Sequence, residues 1–218
     1  MKLITFLSLT IFLLSMSFGV AKADYFVWAD PQTGLSFSFP DDWQRVSSAD
    51  PDDIITVMPP SGRAHAACRI RARNDMRYSV YPVHYANDIQ KVAYGLPYMN
   101  EYLREYDDPQ ILSIMDNGGL GRGFATYAVV SYKSAVQGPL MERKATVFAA
   151  YYADRVYFLE CSSHKDAYAM WENMFLSIAK SIDFKKADHE LVSGNYRNFL
   201  PDPYKYFSGD EGMNVVRY

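Results

Sequence analysis

ATVFAAYYADRVYFLECSS, residues 145–163, places two runs of β-branched, aromatic and small apolar residues on either side of Ala153-Asp154-Arg155. Each run has strand length, and a break this short between them predicts a tight hairpin. The same reading extends backwards. Ile111 to Met115, Gly123 to Tyr132, Glu142 to Tyr152 and Val156 to Cys161 read as four strands of a meander. Turns are predicted at Asn117-Gly118-Gly119, Gln137-Gly138-Pro139 and Ala153-Asp154-Arg155.

Upstream, Tyr25 to Ala29 and Leu35 to Phe39 flank the turn chemistry of Asp30-Pro31-Gln32-Thr33-Gly34. Leu35, Phe37 and Phe39 alternate with serine, so this hairpin has one buried face. Pro40-Asp41-Asp42-Trp43 ends it, because proline removes a ladder donor. Ile54 to Met58 and Ala64 to Arg73 read as two further strands around Pro59-Pro60-Ser61-Gly62. Helical spacing appears twice. Tyr85 to Tyr106 carries it with an interruption near Pro97, where a kink or break is expected. Lys165 to Ile182 carries Ala167, Trp171, Met174, Phe175, Ile178 and Ile182 as one apolar stripe. The fold class is therefore α/β (α+β): a central, mostly antiparallel sheet with helices on its faces.

The chain opens MKLITFLSLTIFLLSMSFGVAKAD, with Lys2, an apolar run to Leu14, and Ala21-Lys22-Ala23. This is the pattern of a secretory signal peptide over 1–23, with cleavage expected after Ala23 and no later span of membrane length. Residues 24–186 make one domain of ordinary size, and 187–218, where neither period is visible, a C-terminal tail. Tyr196, Phe199, Leu200, Tyr204, Tyr206 and Phe207 make the tail denser in aromatic and apolar groups than a purely solvating segment, which predicts that it covers a surface of the domain or of a partner.

The whole chain carries 22 basic and 25 acidic side chains, and losing Lys2 and Lys22 leaves 20 against 25. That balance argues against nucleic acid and against a polybasic membrane clamp. No G-x-S-x-G, H-E-x-x-H, P-loop or G-x-G-x-x-G is present, and Gly118 to Gly123 reads as a hairpin turn rather than a phosphate cradle.

Cys68 and Cys161 are the two cysteines, and in an oxidising compartment such a pair is expected to form a disulfide, spanning 93 positions. A competing reading makes His65, Cys68, Cys161 and His164 a tetrahedral zinc site. Its difficulty is mechanical: strand positions three apart point to opposite faces. Arg69, Arg71 and Arg73 share the strand face opposite Cys68, Ile70 and Ala72. They form either a possible anion-binding stripe or a solvent-facing, edge-blocking one, and the sequence favours the latter. Asp41, Asp42, Asp50, Asp52 and Asp53 are explained by caps and turns, since Ile54 and the missing glycine spoil a calcium loop. His84 and His189 have no partner at a ligand spacing.

Three stretches together resemble the PsbP-like proteins, exported or lumenal α/β/α sandwiches: residues 25–46, YFVWADPQTGLSFSFPDDWQRV; the hairpin at 145–163; and FLSIAKSIDF, residues 175–184. The resemblance covers about Tyr25 to Phe184. It implies a largely non-enzymatic assembly, stabilising or binding role, and carries over no functional residue. The function expected is an exported, periplasmic or secreted, non-catalytic binding or accessory module of the bacterial cell envelope with a protein partner and no cofactor. The alternatives are a small-ligand or metal binder using the arginine stripe or the Cys/His set, and an enzyme without a linear motif.

Overall fold

A computed structural model describes residues 24–47, 50–60, 64–78, 80–81, 94–135, 140–186, 204–209 and 212–217. Eleven strands and two α-helices are named among them: β1 Tyr25–Ala29, β2 Ser36–Pro40, β3 Gln44–Val46, β4 Asp53–Met58, β5 Ala67–Asn74, α1 Leu96–Leu103, β6 Asp107–Leu120, β7 Gly123–Ser134, β8 Met141–Tyr152, β9 Arg155–His164, α2 Tyr168–Ser181, β10 Tyr204–Gly209 and β11 Gly212–Arg217. β1 and β2 pair with each other. The other nine strands form one antiparallel sheet in the order β11-β10-β6-β7-β8-β9-β5-β4-β3.

The hairpin at 145–163 lies at the centre of this sheet. Tyr152 pairs with Arg155, so the turn is the two residues Ala153-Asp154, with Arg155 already in the strand. Both turn residues have positive φ, 48° and 61°, the conformation whose twist matches the strands of a two-residue hairpin. Along β8 and β9 both faces are buried. Phe148, Ala150, Leu159 and Cys161 point to one side, while Val147, Ala149, Val156 and Phe158 point to the other. This explains the near-continuous apolar runs, which a sheet with one wet face would not tolerate.

α2 covers the first side. Its Phe175, Ile178 and Ala179 pack with Phe37, Phe39, Val57, Ile70 and Leu159, and Trp171 and Met174 lie at the margin. The alternating β2 residues Leu35, Phe37 and Phe39 are buried as their spacing predicts, and Ser36 bridges to Asp183 beyond α2. α1 covers the second side through Met99, Tyr102 and Leu103. Helices thus lie on both faces of the sheet, the expected sandwich. Pro97 sits in the first turn of α1 and opens the helix rather than kinking it, because its missing N–H is one the first turn leaves unpaired anyway. The upstream part of the predicted helical pattern, residues 85–93, lies outside the described residues.

Two sequence expectations need correction. The turn expected at Asn117-Gly118-Gly119 is instead part of β6, where the register slips between Met115 and Gly118, and the chain reverses at Gly121-Arg122. Gly121 has φ +58°, and a Cβ there would lie 2.9 Å from the Phe184 ring, so glycine is required at this later site. The predicted final helix begins as a 3-10 turn, Lys165–Ala167, before α2.

Part of the chain read as a patternless tail forms strands. β10 and β11 make a hairpin, and β10 pairs with β6 at Tyr206↔Ile114 and Phe207↔Ser113, extending the sheet at its β6 edge. Deleting residues 188–218 is therefore expected to cost about 1 kcal/mol, the scale of one or two net backbone hydrogen bonds. For a domain of this size that is a fall in melting temperature of roughly 2–4 °C by calorimetry. An unchanged melting temperature would show that the pairing adds nothing.

Candidate functional site

The sheet face under α1 carries an unusual concentration of charge. β5 is an internal strand, flanked by β4 and β9. Its Arg69, Arg71 and Arg73 do share one face, which is not an edge; Arg73 reaches solvent with 41% of its side chain exposed, whereas Arg71 is 3% exposed. A charge this deep is tolerated only with partners. Arg71 Nε donates to Asp53 at 2.7 Å, and its Nη1 and Nη2 donate to Glu105 at 2.6 Å and Asp50 at 3.0 Å. Arg73 Nε donates to Asp52 at 2.7 Å. Arg69 reaches Glu160 at 3.2 Å and Glu105 at 3.3 Å. The aspartates that the sequence assigned to turns are thus largely the counter-ions of the stripe. Asp50 does both, since its Oδ1 also accepts from the Asp52 amide.

Glu160 is the centre of the group. Position 160 alternates with Leu159 and Cys161, so while they enter the α2-side core the carboxylate is turned to the α1 side, 5% exposed. Tyr102 and Tyr106 donate to its Oε2 at 2.6 and 2.7 Å, and Tyr132 donates to Oε1 at 2.5 Å. Arg69 also bonds the Tyr106 hydroxyl. Burial alone would push the Glu160 carboxyl up, but the Arg69 charge and the three hydroxyls reverse this and hold it below the usual carboxylate range. Burial and the Glu160 charge together push the three tyrosines well above theirs, so they remain protonated donors. No motif predicts this cage. Its sequence signal is one acid inside an apolar strand and tyrosines at 102 and 106, one helical turn apart.

Beside the cage opens a cleft of about 270 Å³. Val46, Met58 and Ala67 form its apolar wall, and His65, Arg69, Tyr132, Arg143, Glu160 and Ser162 its polar one. Arg143, on β8, is 6% exposed and was not singled out from sequence. Its Nη2 donates to the His65 carbonyl at 2.6 Å and to Ser162 Oγ at 2.9 Å. The first bond ties down a residue held at φ +46°.

Cys68 and Cys161 lie directly opposite each other on β5 and β9 and are joined as a disulfide. With both sulfurs bonded to each other, the Cys/His set has lost its thiolate ligands, which overturns the zinc reading. His164 instead caps the 3-10 turn, its Nδ1 accepting from the Asp166 amide, while His65 lines the cleft. His84 and His189 lie outside the described residues.

No family model matches the chain, and no curated protein matches it. Solved structures do. One is cyanobacterial PsbP (CyanoP) from Synechocystis, at 14% identity and a TM-score of 0.48, covering 77% of this chain and 96% of that one. In fold, the chain is similar to PsbP. A second is LpqN of Mycobacterium tuberculosis, described as involved in cell envelope biogenesis, at 11% identity and a TM-score of 0.35, covering 75% of this chain and 91% of that one. The likeness is one of architecture. Among the described residues no helix is long and apolar enough to cross a membrane.

Proposed function

We propose that the protein is an exported, non-catalytic binding module that serves as an accessory factor in the bacterial cell envelope, with the cleft beside Glu160 as its contact site. The observation that carries the reading is the state of the cage. Glu160 accepts from three hydroxyls and a guanidinium and is held ionised, so it has no proton to give, and its lone pairs are committed to the chain's own donors. The two sulfurs are bonded to each other rather than free as nucleophiles. Groups satisfied in this way hold a rigid shape, which suits recognition. Export is supported by the N-terminal 1–23 pattern and by a buried disulfide, which persists in oxidising compartments.

The test is site-specific photo-crosslinking in the native envelope from Met58, at the cleft, and from Met170, which is exposed on α2. A discrete crosslinked polypeptide from position 58 but not 170, recovered reciprocally through that polypeptide, is the expected result. Equal or no crosslinking from the two positions would overturn the cleft as the contact site.

A further inference from the structure

The guanidinium groups under α1 differ in one respect. Arg69, Arg71 and Arg73 each have a carboxylate from the chain, whereas Arg143 makes no ion pair among the described residues; its bonds are to a carbonyl and a hydroxyl. The acids nearest to it are already taken. Glu160 belongs to Arg69 and the tyrosines. In the shallow depression on the other side of Arg143, Asp108 pairs with Lys133 at 3.0 Å and Glu142 with Lys165 at 3.1 Å. A guanidinium does not lose its charge at any working pH, so among the described residues Arg143 is a buried cation balanced by dipoles.

One of its nitrogens is also uncommitted. Nε and Nη2 bond His65 and Ser162, and Nη1 has no bond to a described residue. Arg143 is one of the residues that line the cleft. We propose that the cleft binds a small carboxylate, whose oxygens take Arg143 Nη1 while its short apolar part lies along Val46, Met58 and Ala67. The chemistry selects the class. With Nε and Nη2 committed, Nη1 still offers a carboxylate oxygen a charge-assisted hydrogen bond. One negative charge is what Arg143 lacks among the described residues, and because Asp53 and Glu160 line the same cleft, a dianionic phosphate would meet more repulsion there than a monoanionic carboxylate. The volume, about 270 Å³, fits a ligand of a few carbons, or the last residue of a peptide chain, which offers the same group.

The inference rests on the cleft being the protein's binding site, and it is tested without a partner protein. The mature protein is titrated with butyrate, butan-1-ol and inorganic phosphate while amide and arginine Nε–Hε resonances are followed by NMR. Butyrate is expected to shift Arg143 and Ser162 saturably, and butan-1-ol to leave them unmoved. Arg143→Gln should weaken binding by about tenfold or more, the loss that follows removal of a charge-assisted hydrogen bond. Because Arg143→Gln also removes bonds to His65 and Ser162, Ala67→Leu is the second variant: it fills the cleft, leaves Arg143 in place, and should abolish the response. Arg104→Gln, at the exposed C-cap just beyond α1, should change nothing. Acetyl-glycyl-alanine as free acid and as amide separates the two sources: response to the acid alone places the carboxylate on a chain end, and response to butyrate alone places it on a small free acid. Phosphate binding more tightly than butyrate, Ala67→Leu binding like the wild type, or no saturable response to either carboxylate would overturn the proposal. A saturable butyrate response with no crosslinked partner would overturn the cleft as a protein-contact site and leave the carboxylate site standing; the reverse pair of results would do the opposite.

Discussion

Glu160→Gln is expected to lower stability at neutral pH by about 3 kcal/mol, the lower end of what removing one member of a buried ion pair costs. The lower end applies because Arg69 is 21% exposed and keeps Glu105 as a second partner. For a domain of this size the loss reads as a fall of roughly 6–12 °C in melting temperature. The carboxamide preserves volume and one acceptor, but its NH2 now faces hydroxyls that have hydrogens to donate, so either Tyr132 alone or Tyr102 and Tyr106 together lose their acceptor, depending on which side the NH2 takes. The pH dependence separates this from a packing defect. The Glu160 pKa is lower in the folded protein than in the unfolded chain, so the wild type binds fewer protons folded than unfolded. The stability this adds is fully present above the ordinary glutamate value of about 4.3 and is lost as pH falls through the lower folded value. The gap between wild type and Glu160→Gln should therefore be constant from neutral pH down to about 5 and narrow below that. Melting curves that coincide at pH 7, or a gap that does not change with acid, would remove the charge from the account.

How far such a centre can be read from residues alone depends on whether local spacing or distant pairing creates it. The β2 alternation, the α2 stripe and the hairpin at 145–163 are properties of one segment each, and the sequence predicts them because period and turn chemistry act within a few residues. The face shared by Arg69, Arg71 and Arg73 is equally local. What covers that face is not. Asp53 and Glu160 reach it only once β4 and β9 have paired on either side of β5, and Tyr102 only once α1 has docked. Reading the stripe as an edge was the natural outcome of seeing one strand without its neighbours. Arg143 gives no local signal for the same reason: on β8 it is an ordinary charge near a strand end, and its having no counter-ion among the described residues depends on where Asp108, Glu142 and Glu160 pair. The turn moved from Gly118-Gly119 to Gly121-Arg122 for a different reason. Three glycines within four positions offer several places to reverse, and the packing of Phe184 against Gly121 selects one.

Replacing both Cys68 and Cys161 with alanine is expected to produce the largest loss, about 4 to 5 kcal/mol, since the bridge closes a loop of 93 residues in the unfolded chain. The fall in melting temperature should be on the order of 10 °C or more. The two positions are directly paired on β5 and β9 and are 1% and 0% exposed, between Ile70 and Leu159 in the core under α2. Reduction of the wild-type protein should therefore be slow while it is folded and fast once it unfolds, and denatured, unreduced protein should show no titratable thiol. The location adds a consequence for the site on the other side of the sheet. Arg69 and Glu160 are the next residues along the same two strands and also face each other in register, so the bridge fixes the pairing that brings them together. Loss of the bridge should accordingly weaken the cage as well as the core. In the double variant the further cost of Glu160→Gln should be smaller than in the wild type, by an interaction energy of about 0.5 kcal/mol or more in a double-mutant cycle. Strict additivity would show that the two strands hold their register without the disulfide.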